Sequence, residues 1–320
     1  MSHNINEQRM FYCGDTPWHG IGTKLNHPAT AKEAIESAKL DFQIQMKTII
    51  VKGTNNEITK KKAIVRADNN DVLGIVSPLY KIVQNTDAFN FFDSVIGEKQ
   101  AVYHTAGALG KGEKIWILAK LPDDIILANN ENVAKYLCLV NSHDGSCCLR
   151  LYFTPIRVVC QNTLTISLST KEDGIAIRHY GDVKSKTEEA RKILGISKQF
   201  YDNFDSIAKE LVKFKLNKQQ VETYFDNLLD IKNNKDDSVR IKNVKSDLLA
   251  LFENGKGNSN PEIKHSAWTA YNAVTEYIDW FRKPKGISKD PTNRLKNIWF
   301  GTGAQMKNKA FNHIQSLIKI

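Results

Sequence analysis

Cysteine is scarce in this chain and poorly placed for cross-linking. The five cysteines, Cys13, Cys138, Cys147, Cys148 and Cys160, are odd in number, sit mostly in apolar segments and include no Cys-x-x-Cys pair. That pattern argues against a disulfide scaffold and a zinc ribbon and fits a reducing compartment, so a cytoplasmic location is expected. No apolar run approaches the roughly 20 residues needed to cross a bilayer. The stretch Met1–Arg9 holds nothing that would form a secretory signal, and no membrane association is expected. Adjacent aspartates occur only at Asp123/Asp124 and Asp236/Asp237, too few clustered carboxylates for a metal-dependent nuclease. No metal site and no cofactor are expected. A phosphate loop is also missing. Gly107-x-x-Gly-x-Gly-x-Lys114 lacks the following Ser or Thr and runs into a strand pattern instead of a helix, so it reads as a glycine-rich hairpin turn.

Positive charge, by contrast, is plentiful and unevenly spread. Lys and Arg total 45 against 35 Asp and Glu over 320 residues, a net of +10. From Lys184 onward 25 basic residues face 16 acidic ones, whereas before it 20 face 19. Arg282–Ile320 alone carries nine basic residues and one acid, Asp290. Fields of this sign attract polyanions, nucleic acid foremost; a solvated lysine-rich surface is the other reading.

The pattern along the chain predicts an α+β fold, mainly antiparallel sheet with helices in residues 1–183, followed by an all-helical part with a basic tail in residues 184–320. Met1–Asn26, punctuated by Pro17, Gly20 and Gly22, reads as an irregular arm. Thr30 with Glu33 forms a capping box ahead of a helix to Leu40. Strands are expected at Gln45–Val51, Lys62–Ala67 and Val72–Ser77, and a helix at Asp87–Ile96. Ala101–Leu121 reads as one hairpin and Val133–Phe153, turning at Asp144-Gly145, as a second. Arg157–Leu168 is ambiguous between strand and helix, and helix is favoured. Beyond Gly181 the 3–4 spacing of Ile193, Phe200, Phe204, Ile207 and Leu211 marks a helical seam. His265–Phe281 and Asn308–Ile320 follow as helices, with Trp268, Tyr271, Ile278 and Phe281 near one packed face.

Two sets of residues carry candidate chemistry. Trp18, His19, His143, Asp144 and Arg157 would make an enzyme site if they converged. A nucleophilic Cys160 beside His143 and Asp144 is disfavoured, because neighbours in one tight turn rarely orient each other and Cys160 sits among Val158, Val159 and Leu164. The second set suits nucleic acid. Arg150 and Arg157 can clamp phosphates. Arg282, Lys283, Lys285, Arg294, Lys296, Lys307 and Lys309 can track a backbone, with Trp299 and Phe300 stacking on bases.

The segments Thr16-Pro-Trp-His-Gly-Ile-Gly-Thr23, Asn141-Ser-His-Asp-Gly-Ser146, Pro155-Ile-Arg-Val-Val-Cys-Gln-Asn-Thr-Leu164 and Arg178-His-Tyr-Gly181 resemble the phage/plasmid-like family with the domain of unknown function 932. Tyr271-Asn-Ala-Val-Thr-Glu-Tyr277 and Phe300-Gly-Thr-Gly-Ala304 fit its C-terminal pattern. The resemblance implies a gene carried by phages, prophages or plasmids and supplies no catalytic residues. Strands followed by a helix over Ala101–Leu168 would also be similar in architecture to Rad52-like single-strand annealing proteins, a likeness of fold alone. The expectation is a non-enzymatic nucleic-acid-binding protein that favours single-stranded DNA and self-assembles as a homo-oligomer, in annealing or recombination. The alternatives are an enzyme built on His19, His143, Asp144 and Arg157, and a host-directed protein-interaction factor presenting an apolar stripe on its helices.

Overall fold

The computed structural model describes residues 5–13, 22–54, 56–96, 102–146, 148–157, 159, 162–163, 175–176, 183–231, 239–282, 297–299 and 301–318. Its fold is α+β, with the strands ahead of the long helices. A seven-stranded sheet runs in the order Ile175–Ala176, Arg150–Phe153, Tyr136–Ser142, Lys114–Lys120, Val102–Leu109, Ile5–Cys13 and Thr23–Leu25. Every pairing in it is antiparallel except the last, where Thr23–Leu25 runs parallel to Ile5–Cys13. A four-stranded sheet orders Asn162–Thr163, Ile156–Arg157, Glu131–Ala134 and Ile125–Ala128. A three-stranded sheet is built from Ile44–Ile50, Glu57–Arg66 and Val72–Val76.

The helices are α1 (Ala31–Ser37), α2 (Asn85–Ile96), α3 (Val183–Lys213), α4 (Lys218–Leu228), α5 (Val239–Asn254), α6 (Ala267–Glu276) and α7 (Thr302–Ile318). Local chemistry starts several of them. Thr30 Oγ1 accepts from the Glu33 N–H at 3.2 Å while Glu33 accepts from the Thr30 N–H at 2.9 Å, which satisfies two helix-end donors reciprocally. Asn217 and Gln220 repeat the arrangement ahead of α4.

The large sheet is buried on both faces. Along Lys114–Lys120, Ile115, Ile117 and Ala119 join the main core with α2, whereas Trp116 and Leu118 join a smaller cluster with Met10, Tyr136, Cys138 and Val140. The main core continues without a break from the sheet through α2 and α3 to Trp268, Tyr271, Phe311 and Ile314 of the helical part.

The structure corrects four expectations. The irregular arm contains a strand, Ile5–Cys13, in which Met10 and Phe11 are both fully buried on opposite faces. A strand covered on both sides shows no alternation, so periodicity does not reveal it. Val133–Val140 divides: Glu131–Ala134 belongs to the four-stranded sheet and Tyr136–Ser142 to the seven-stranded one. Where a helix was favoured over Arg157–Leu168, the described residues form a hairpin, with Ile156 opposite Thr163 and Arg157 opposite Asn162; residues 164–168 lie outside the described ones. Finally, the helix through Trp268 ends in a π-turn at Tyr277–Phe281. Its wider turn shifts the register, and Phe281 leaves the packed face with 55% of its surface exposed.

Candidate nucleic-acid surfaces

Arg157 reaches no surface. It is 0% exposed; its Nε and Nη2 grip both oxygens of the equally buried Glu131, the Nη2 contact at 2.8 Å. Its Nη1 donates to Asn258 Oδ1 at 3.1 Å and to the Lys256 carbonyl at 3.2 Å. Trp268 Nε1–H donates to the same Glu131 at 2.6 Å. Arg157 therefore joins the four-stranded sheet to α6 and to the turn after α5, and reading it as a phosphate clamp is corrected. Burial at this depth is tolerable because each charged oxygen and most guanidinium protons have partners.

His143 is also fully buried, at the end of Tyr136–Ser142. Asn85 donates through Nδ2 to the Leu40 carbonyl at 2.8 Å, so its Oδ1 faces His143 Nε2, also at 2.8 Å, as acceptor. Nε2 accordingly carries the proton, and burial pulls the imidazole down to about 4. Asp144 sits half-buried in the turn, its Oδ1 accepting from the Ser146 N–H at 2.9 Å. Gly74 lies against this turn so closely that a Cβ there would stand 2.5 Å from Asp144 Cα. His143 contacts Asn85, Phe42 and the Glu113 carbonyl, none of which touches Arg157 or Glu131. His143 and Arg157 belong to separate environments; His19 lies outside the described residues.

Of the three described cysteines, Cys148 is exposed and the other two are withdrawn from solvent. Cys138 is buried and its thiol is pushed up to about 12 by that burial. Cys13 is buried as well, its Sγ donating to the Tyr103 carbonyl at 2.8 Å; Cys147 and Cys160 lie outside the described residues. Among the described residues no three His, Cys, Asp or Glu side chains come together to hold a metal ion, and no helix is long and apolar enough to cross a membrane.

The cations proposed from the sequence have diverse fates. Lys307 is 0% exposed and paired with Asp279 beside the π-turn. Lys309 donates to the Leu228 carbonyl at 2.9 Å and pairs with Asp230 at 2.7 Å. Arg150 is half-buried on its strand and engaged by neighbours. Trp299 packs edge-on against Trp116, ring centroids 5.4 Å apart, which closes the small apolar cluster. Lys283, Lys285, Arg294, Lys296 and Phe300 lie outside the described residues. Arg282 is half-exposed, its Nη2 donating to Thr302 Oγ1 at 3.1 Å. Burial pushes its guanidinium down, Tyr277 opposes that, and the nearby charge of Arg240 adds to it.

Read from the sequence, Trp280 and Phe281 lead into the basic tail as aromatics able to stack on bases, with Phe281 placed near the packed face. Trp280 and Phe281 are 39% and 55% exposed, immediately ahead of Arg282 and the basic tail. The π-turn accounts for the exposure of Phe281, and no sequence period signals a π-turn.

A second feature goes beyond the strands expected at Gln45–Val51 and Lys62–Ala67, because the second of them starts earlier, at Glu57. The strands Ile44–Ile50 and Glu57–Arg66 form a hairpin whose outer half leaves the body of the protein. From Lys47 to Lys61 every described residue except the half-buried Ile49 is exposed. At the base of this arm Arg66, 1% exposed, lies over the Phe42 ring at 3.8 Å. It binds both Asp68 oxygens and donates to the Lys111 carbonyl at 2.7 Å. Arg9 donates to that carbonyl at 2.9 Å. Gly112 (φ 119°) permits this packing, since a Cβ there would meet Phe42 Cζ at 2.8 Å. A cavity of about 580 Å³ opens beside the anchor, lined by Arg9, Lys39, Asp41, Phe42, Gln43 and Asp68.

A family model described as "Domain of unknown function (DUF932)" matches residues 72–299, more than two thirds of the chain. The chain belongs to that family. No curated protein and no solved structure matches it.

Proposed function

With that membership as premise, we propose that this chain is a nucleic-acid-binding protein that favours single-stranded DNA, acting in annealing or recombination for a phage, prophage or plasmid. The observation that carries the reading is the exposure of Trp280 and Phe281 at the head of a segment with nine basic residues and one acid. Aromatic faces stack on unpaired bases regardless of sequence, and adjoining cations neutralise the backbone. Arg240 lies near enough to Arg282 for its charge to reach that guanidinium. Trp280 and Phe281 supply the stacking surface; Trp299 packs on Trp116, and Arg157 and Lys307 are buried away from it. The setting in a mobile element rests on the motif resemblance.

The enzyme reading needs His19, His143, Asp144 and Arg157 to converge; His143 and Arg157 stand in separate environments and His19 lies outside the described residues. For the protein-interaction reading, the large exposed apolar side chains on described helical residues are Val239, Trp280 and Phe281, with Phe214 just past the end of α3, and these do not form a stripe along one helix. The test is fluorescence anisotropy with a labelled single strand over a salt series. Binding should weaken linearly on a log–log scale, by about 0.7 per phosphate contacted. Trp280→Ala/Phe281→Ala should weaken it by on the order of 10-fold or more, at roughly 1–3 kcal/mol per stacked base. An unchanged affinity in that variant would refute the proposed surface.

A further inference from the structure

We infer that the Lys47–Lys61 arm is a second nucleic-acid surface, specific for double-stranded DNA, which it enters as a two-stranded ribbon. The inference is separate from the single-strand surface at Trp280 and Phe281 and draws on different residues. The arm also lies ahead of residues 72–299, the segment matched by the family model.

Charge is the first ground. Between Lys47 and Lys62 the arm holds five lysines and one acid, Glu57. Glu57 pairs with Lys62 at 2.8 Å, and Lys47 donates to Asn70 at 2.6 Å. Lys52, Lys60 and Lys61 make no ion pair among the described residues. The first 183 residues carry nearly equal numbers of acids and bases, so this local excess vanishes in the average.

Shape is the second. Residues of the third strand, Val72–Val76, pair only with Lys62–Val65, so the outer ribbon has two strands and no layer over either face. Five residues from Lys47 to Val51 extend roughly 16 Å at about 3.3 Å each, more than the ~8.5 Å depth of a major groove that admits such a ribbon. The tip is well formed: the Val51 N–H donates to the Asn56 carbonyl at 2.9 Å and Gly53 takes the left-handed turn at φ 91°. Register breaks between Thr48, opposite Lys62, and Ile50, opposite Glu57. The four residues Ile58–Lys61 thus face the single residue Ile49, a bulge of the kind that re-aims side chains, and it contains Lys60 and Lys61.

Composition decides between duplex and single strand. Ile44–Arg66 contains no Phe, Tyr or Trp, so the arm has no stacking platform for unpaired bases. It instead exposes the aliphatic side chains Ile50 (58%), Val51 (44%) and Ile58 (38%) around its tip. Side chains of this kind contact the thymine methyls that line the major groove.

The experiment compares a labelled duplex with its single strand over a salt series, using the full chain, the arm variant Lys52→Gln/Lys60→Gln/Lys61→Gln and the variant Trp280→Ala/Phe281→Ala. Exposed lysines without ion pairs can be replaced without loss of fold, and an unchanged Tm verifies it. The arm variant should lose duplex affinity by on the order of 10²-fold at 0.1 M salt, its log–log slope falling by about 2.7. It should keep its single-strand affinity, while the aromatic variant shows the reverse. Duplex affinity unchanged in the arm variant overturns the inference and leaves the single-strand proposal standing. So does an equal loss on both ligands, which would make the arm a general cationic surface. Absence of duplex binding by the wild type at low salt overturns it and would direct the arm to another polyanion, such as an acidic protein.

Discussion

Replacing Arg157 with Met separates a structural arginine from a phosphate ligand. The substitution removes the contacts to both Glu131 oxygens and those to Asn258 and Lys256. Glu131 would keep only the Trp268 N–H at 2.6 Å in a site with 0% exposure. Breaking a buried pair from one side costs about 3–5 kcal/mol, because the remaining charge stays desolvated. Against a total stability of roughly 5–15 kcal/mol, that is a large share, and it corresponds to a fall in Tm of roughly 10 °C. Urea unfolding should show a lower midpoint with an unchanged slope. Adding Glu131→Gln removes the orphaned charge, so the double variant should be more stable than the sum of the two single changes implies, by at least about 1 kcal/mol. Where the single variant remains folded, DNA affinity should stay within about twofold of wild type. A variant of native stability that has lost DNA binding would refute the assignment and return Arg157 to the binding surface.

Four further outcomes are expected. His143 is held near 4 in the folded chain against an ordinary 6.5, so the unfolded chain takes up the proton first on acidification. Stability from this group is intact above pH 6.5, falls by about 3 kcal/mol between pH 6.5 and 4, and changes no further below. His143→Gln keeps a donor for Asn85 and should flatten that part of the stability profile in urea titrations. Gly74→Ala forces a Cβ to within 2.5 Å of the Asp144 backbone and should cost about 1–3 kcal/mol by overpacking, read as a drop in Tm. Lys307→Met leaves Asp279 charged and buried and should lower the denaturation midpoint with a cost of about 3–5 kcal/mol. Trp299→Ala should weaken the packing on Trp116, with a coupling of about 0.5–1.5 kcal/mol in a double-mutant cycle, and leave DNA affinity unchanged.

Much of the fold was legible wherever a signal is local. The capping box at Thr30/Glu33, the Asp144-Gly145 turn and the heptad-like seam of α3 each lie within a few residues and specify their own geometry. Ile5–Cys13 was not legible, because two-sided burial erases alternation. Neither was the π-turn at Tyr277–Phe281, which no sequence period announces. The candidate surfaces were less legible still. Lysines at 47, 52, 60 and 61 look unremarkable in a lysine-rich chain until the hairpin carries them clear of the body.

The sequence alone determined the sign and amount of charge, the α+β order of elements and the absence of a membrane-spanning run, since each follows from composition or near-neighbour spacing. Which cations are available was decided only by tertiary structure. Arg157 meets Glu131 across 26 positions and Trp268 joins the same carboxylate across 137; Lys307 finds Asp279 beyond a segment of 27 intervening residues. Exposure and pairing depend on these distant partners, and an arginine in a core and a lysine on an arm are written with the same charge.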